Sequence, residues 1–547
     1  MVESVSMPSP TSFALGAIGA LALVGCGMGG GSAGSGGSTG AAAAGSLGMA
    51  GSGGRGAAGG FAGGGGTGAS GSAGANGVSG SSGVDGGVSG AAGAAAGGAS
   101  GVSGSSGAAG AVGTAGAVGT AGAMGTAGAA GSGGGGPSCS TVPASASDVV
   151  VNLARFEQTM DGFGVCNAYQ SSPLSDAMAD QFFSESKGIG LSIFRLGIKP
   201  DGTSWGPIAD AKKAADRGAS VWAAPWTPPA ECKSNNSLTN GGHLNKSCYE
   251  SWASTLAAFP AKAKQAGVTV FGISVQNESD NATQYESCLY SGQEMVDFIK
   301  VLGPKLKALN PPVKLLGPES TRWEHLWGGD YNYGNLILAD AEAAAQVDIL
   351  ATHMYETATA VAPPPGVSKP IWQTEMSGVM GFQEAGPSSD IKNGVAVATW
   401  IHDAITVGHA SSWHSWWITS LNDDNEGLLL KGGGTTKRLY TVGNYSKFIR
   451  PGYRRVQVSG PVPASVKLTA YVNSTDATVV IVAINTGTSA VSLPLYLAGS
   501  ARCPMTLTPW ATSANDDLSA KPAVSVSDAH LSPLLAAQSV TTFVGKP

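Results

Sequence analysis

Val268-Thr-Val-Phe-Gly-Ile-Ser-Val275-Gln276-Asn277-Glu278-Ser279 is an apolar, β-branched run that gives way abruptly to polar residues. It reads as a buried strand with an acid at its C-terminal end, the pattern of one βα unit of a parallel barrel. A second such passage lies downstream, where Pro370-Ile-Trp-Gln-Thr374 runs into Glu375-Met376. In a barrel the C-terminal ends of all strands open on one side, so the two glutamates are expected to face one cleft.

Outward from these two, apolar runs recur between Asp161 and Ile418, alternating with helical or loop-rich stretches. The further candidates are Asp161–Val165, Leu191–Ile198, Ser220–Trp226, Lys314–Gly317, Asp348–Tyr355 and Ser412–Ile418. That makes eight parallel strands, the number that closes a (β/α)8 TIM barrel. Two intervening helices carry the Ser-x-x-Glu start signal, at Ser247–Glu250 and Ser291–Glu294, the second followed by an apolar stripe from Met295 to Leu309. After about Pro451 the pattern becomes short strands such as Ala477–Ile484 and Ser539–Val544, which predicts an attached β-sandwich. Asp148–Leu153 has no helix partner and is expected to join it. The expected organisation is a β-sandwich strand region at 139–155, the barrel at 156–445 and the C-terminal sandwich at 446–547.

The first quarter is different in kind. Residues 27–138 are Gly, Ala, Ser and Thr with almost no charge, too poor in large side chains to offset chain entropy. Glycine falls at every third position from Gly98 to Gly131, yet no proline lies between Pro10 and Pro137, so a flexible tether is expected rather than a triple helix. Phe13–Val24 has the length of a signal-peptide core and ends at Leu23-Val24-Gly25-Cys26, which resembles a bacterial lipobox. Residues 1–26 are therefore read as a lipoprotein-type signal peptide with Cys26 as the lipidated residue, implying a secreted or envelope-anchored protein. The n-region departs from the pattern, having Glu3 and no Lys or Arg. Six cysteines remain besides Cys26, an even number that suggests disulfides in an exported chain; Cys232–Cys248 is the first expected pair. Neither a zinc-type ligand spacing nor an EF-hand spacing occurs, the run Asn422–Glu426 being calcium-like in composition only, so neither metal nor other cofactor is expected. A net charge of −6 argues against nucleic acid as a partner.

The residues gathered at the strand ends are Arg195, Trp226, Asn277, Glu278, Glu319, His353, Tyr355, Glu375, Trp413, Trp416 and Trp417. Indoles offer faces for sugar C–H groups, and the amide, carboxylate and guanidinium groups suit hydroxyls, so the expected partner is a polysaccharide. Asp161-Gly-Phe-Gly, Pro225-Trp-Thr-Pro-Pro229, Gly272–Glu278, Tyr285–Cys288, Trp372–Glu375, Gly443–Gly452 and Ala537–Phe543 together resemble glycoside hydrolase family 30. The resemblance runs from about Val149 to Val544 and implies a barrel with a β-sandwich built from both chain ends. It also implies Glu278 as acid/base and Glu375 as nucleophile of a retaining mechanism, with Asn277 on the sugar 2-hydroxyl. Arg195 is expected to keep Glu375 ionised, a drier Glu278 to keep its proton, and Trp226, His353, Tyr355, Trp416 and Trp417 to line the sugar site.

Within that family the resemblance leaves xylan, β-1,6-galactan and β-1,6-glucan open as substrates. Its glucuronoxylan-cleaving members carry an arginine just after the Trp-Trp pair. Here Trp416-Trp417 is followed by Ile418-Thr-Ser-Leu-Asn-Asp-Asp424, acids that would repel a uronate, so strict dependence on glucuronic acid is not expected. Val165-Cys166-Asn167 is a second departure, beneath the expected sugar site. The alternatives are a glucosylceramidase-like β-glucosidase and a non-catalytic carbohydrate-binding lipoprotein.

Overall fold

A computed structural model describes residues 139–378, 390–422 and 424–547. The expected signal segment, Cys26 and the expected tether lie outside the described residues.

All eight expected runs are strands of one parallel sheet: Gly162–Cys166, Ile193–Ile198, Ser220–Pro225, Val270–Ser274, Lys314–Ser320, Val347–Thr352, Ile371–Gln373 and Ala410–Thr419. They are barrel strands 1 to 8. Strand 8 pairs with both strand 7 and strand 1, which closes the sheet on itself. The interior is filled by large rings, Trp222, Trp372 and His414, and small residues opposite make the space. A Cβ on Gly164 would lie 2.1 Å from Cδ2 of His414, so only glycine fits there. His414 is uncharged: burial pushes its pKa down to about 3. It is held between the Gln373 carbonyl, 2.9 Å from Nδ1, and the Trp222 indole N–H, which donates to Nε2 at 3.3 Å.

The helix Gly292–Lys307 starts with the expected capping box, Ser291 and Glu294 bonding reciprocally. The other expected box is not formed. Ser247 sits in a 3₁₀ turn, Lys246–Cys248, and the helix begins only at Tyr249 without a side-chain cap. Cys232–Cys248 is disulfide-bonded as expected, which anchors that turn, and Glu250 pairs with Lys305 at 2.8 Å instead. A second bridge, Cys139–Cys503, ties the start of the described chain to the C-terminal region, and Cys166 and Cys288 are buried thiols.

The β-rich region contains ten strands in one largely antiparallel sheet, with a separate two-stranded ribbon. Val149–Thr159 belongs to it, pairing with Arg454–Ser459 and Leu495–Ala498. Val479–Asn485 is buried along its whole length because its two faces serve different cores. Val479, Ile481 and Ala483 join the sandwich core, while Val480, Val482 and Ile484 join the barrel core. That explains a continuous apolar run where one-sided burial would alternate.

Asn444, near the end of the helix Lys437–Ser446, ties the two layers with hydrogen bonds. Its amide donates to the Trp510 carbonyl (2.9 Å) and the Thr542 hydroxyl (3.1 Å), and its Oδ1 accepts from Thr512 (2.7 Å). Asn444→Ala would leave these groups buried without partners. It is expected to lower the unfolding free energy by about 2 kcal/mol, measured by chemical denaturation, with turnover at 25 °C unchanged.

Candidate active site

Arg195 lies within barrel strand 2, not at its end, and is completely buried. Its guanidinium donates from Nη2 to Asn277 Oδ1 (2.5 Å) and Glu319 Oε1 (2.9 Å), and from Nη1 to Glu375. Its flat faces are covered by indoles, with Cζ 4.8 Å from the ring centre of Trp226 and 5.2 Å from that of Trp222. One side chain thus joins residues from strands 2, 4, 5 and 7.

Glu278 and Glu375 do come together. Carboxylate oxygens of both, and a ring nitrogen of His353, all lie within 4.8 Å of one another. Glu278 accepts from Tyr285 Oη (2.9 Å) and Asn281 Nδ2 (3.2 Å) on one oxygen, and faces His353 Nδ1 at 3.3 Å on the other. Glu375 accepts from Tyr355 Oη at 2.9 Å. Glu278 and Glu319 have left-handed backbone, φ +48° and +55°, and the Glu278 amide donates to the Glu319 carbonyl at 3.0 Å. Left-handed backbone at two non-glycine residues costs of order 1–3 kcal/mol each and persists only where surrounding bonds impose it.

The electrostatics depart from expectation. Burial raises the pKa of Glu375 and outweighs the opposing pull of His353 and Arg195; Glu278 adds to the rise. Arg195 therefore does not by itself hold Glu375 ionised. Glu319 goes the other way: burial favours its proton, but Arg195 and His353 outweigh it and the pKa is lowered. Burial works against a charged His353 too, yet Glu375, Glu278 and Glu319 hold its pKa at about 9. At neutral pH the imidazole is a cation.

Trp226, expected as a sugar platform, is only 1% exposed; it supports Arg195 and meets Tyr169 edge-on at 5.7 Å. Trp416 and Trp417 stack at 5.0 Å, and the Trp417 indole N–H is spent on the Ala168 carbonyl (2.8 Å). Cys166 lies in the barrel floor with Trp222, Trp226, Trp372 and Trp416. The roles of Tyr285 and Asn281 were not read from the sequence. Their signal was proximity, Asn281 three and Tyr285 seven residues beyond Glu278, where a loop can fold back on the acid it follows. Glu278, His353 and Glu375 are, among the described residues, the group of three such side chains close enough to hold a cation. Their contacts with Arg195 and the two tyrosines account for them without one.

Arg195→Met would remove the cation that bonds both Glu319 and Glu375 directly and leave the two buried acids only the more distant charge of His353. Loss of about 3–5 kcal/mol of stability is expected at neutral pH. Because Glu319 has a lowered pKa in the folded protein, the stability that Arg195 supplies is present above the ordinary glutamate range and lost below it. The deficit of the variant should accordingly shrink as the pH falls through that range, as read from denaturation midpoints.

The glycosyl hydrolase family 30 TIM-barrel domain matches residues 201–363. Glucuronoxylanase XynC of Bacillus subtilis (strain 168) is 32% identical over 427 residues, 75% of this chain and 94% of that protein. Among solved structures, a family 30 subfamily 8 xylanase from Clostridium acetobutylicum is 31% identical with a TM-score of 0.64, over 73% of this chain and all of that one. A family 30 endoxylanase from Clostridium papyrosolvens gives 31% and 0.61 over the same shares. With a closed barrel, its β-rich companion and this identity across nearly the whole of a relative, the chain belongs to glycoside hydrolase family 30 and is a glycosidase.

Proposed function

We propose that this glycosidase is a retaining β-glycanase acting on a xylan-type backbone, with Glu278 as acid/base and Glu375 as nucleophile. The observation that carries the stereochemical reading is the closeness of the two carboxylates, with oxygens within 4.8 Å. An inverting pair needs roughly 6.5–9.5 Å to admit a water, whereas a retaining pair stands about 5 to 5.5 Å apart. In the first step Glu278 gives its proton to the glycosidic oxygen while Glu375 attacks the anomeric carbon. The C–O bond breaks, the aglycone leaves as an alcohol, and the glycone is held as an ester of Glu375. In the second step Glu278 takes a proton from water, which attacks the same carbon and frees Glu375.

Attack requires Glu375 ionised and Glu278 protonated, and burial works against the first of these by raising the proton affinity of Glu375. His353 faces both, Nδ1 3.3 Å from Glu278 and Nε2 3.9 Å from Glu375, so its positive charge acts on the two carboxyl groups together. Asn277 accepts from Arg195 through Oδ1, which orients its NH2 as a donor for a sugar hydroxyl. Xylan is favoured over β-1,6-linked polymers because the relatives above 30% identity carry xylanase names.

Glu375→Gln is expected to abolish hydrolysis, and Glu278→Gln to lose xylan cleavage but keep turnover of aryl glycosides whose leaving group needs no proton. The first product, followed by proton NMR, should have the β configuration; an α product, or two variants near wild type, sinks the assignment. Rates on glucuronoxylan and on the same polymer with its uronates removed should agree within a few-fold, given that the residues after the Trp pair include Asp423 and Asp424 and no arginine. Activity confined to the uronate-bearing polymer would reverse that part of the reading.

A further inference from the structure

We infer that Glu319 is a charge-setting residue: with Arg195 and His353 it forms a fixed frame of net charge +1 that holds one proton on the Glu278–Glu375 pair. The inference rests on the roles given to that pair above.

The geometry isolates this frame from water. Arg195, Glu319 and His353 are each completely buried, and Glu278 and Glu375 are 4% and 5% exposed. Glu319 Oε1 lies 2.9 Å from Arg195 Nη2 and 3.7 Å from His353 Nε2, so it touches both cations and neither carboxylate of the pair directly. Its left-handed backbone and the bond from the Glu278 amide lock it to the same loop junction. Two cations and one anion leave a single positive charge. A buried cluster approaches neutrality, because uncompensated charge in a dry interior is expensive. The pair then settles at one negative charge, hence one proton. Retaining hydrolysis needs that state, one carboxyl able to give a proton and one free to attack.

Every other titratable group facing the frame is uncharged at neutral pH. Burial pushes the Cys166 thiol up to about 12 and the His414 imidazole down to about 3. Burial also raises Tyr169, Tyr355 and Tyr285 well above the ordinary phenol range, and lifts Glu426, which lines a cavity together with Met376, to about 8. The proton count of the pair is therefore left to Arg195, His353 and Glu319.

Glu319→Gln keeps the shape and removes the negative charge. Protons in the cluster are then held less firmly, and the alkaline limb of the kcat/KM–pH profile should move to lower pH by about 1 unit or more. His353→Gln removes a cation and should move the same limb upward. The double variant restores the frame's charge and should bring the limb back toward wild type, whatever its maximal rate. A merely structural Glu319 would lower the rate at all pH values with the limbs in place, and that result overturns the inference. If Glu319→Gln does not fold, the upward shift in His353→Gln decides, and an unmoved limb there counts equally against it. Should Glu375→Gln retain hydrolysis, the assignment of the pair itself has failed; a dead Glu375→Gln beside unmoved limbs rejects only the charge-setting role.

Discussion

A guanidinium without water must be surrounded by acceptors, and much of the upper barrel is arranged to meet that demand. Arg195 is reached from strand 4 by Asn277, from strand 5 by Glu319 and from strand 7 by Glu375, with the rings of Trp222 and Trp226 against its guanidinium. Taking such a charge out of water costs several kcal/mol, which only well-placed anions and hydrogen bonds offset. The chemistry of the cleft follows from the same requirement, since the anions gathered for Arg195 include one of the two carboxylates proposed to react. Beneath it the neutral His414, wedged between Trp222 and Gln373, fills the barrel without adding charge.

Much of this was legible in the chain. The eight strands could be counted because strands buried on both faces read as continuous apolar runs, and Glu278 and Glu375 stood where two such runs stop. Arg195, Asn277, His353 and Tyr355 could be gathered by the same rule of strand ends, and the structure brings all four around the pair. What could not be read was the partition of work among them. Trp226 has the context of a sugar platform but spends its face on Arg195. Glu319 is one acid among several until its distances to two cations are known. The direction of proton affinity in the pair is a sum of burial and several charges, which a linear pattern does not encode.

Local signals failed where a longer-range bond competed. Ser247–Glu250 carries the letters of a capping box, but the disulfide at Cys248 and the turn before it occupy that position, and Glu250 finds Lys305. Ser291–Glu294 has the same letters and no competitor, and there the box forms.

The strand Val479–Asn485, with alternate residues given to two cores, has a consequence for the history of such a chain. A recombination event that moved the barrel to another gene without its companion would strip one face from the helices that pack on Val480 and Val482, and the companion would lose its own floor. Exchange of whole modules, the usual route by which enzymes acquire new partners, is thereby closed at this junction. Variation is left instead to the loops at the mouth of the barrel, where length and composition can change without touching either core.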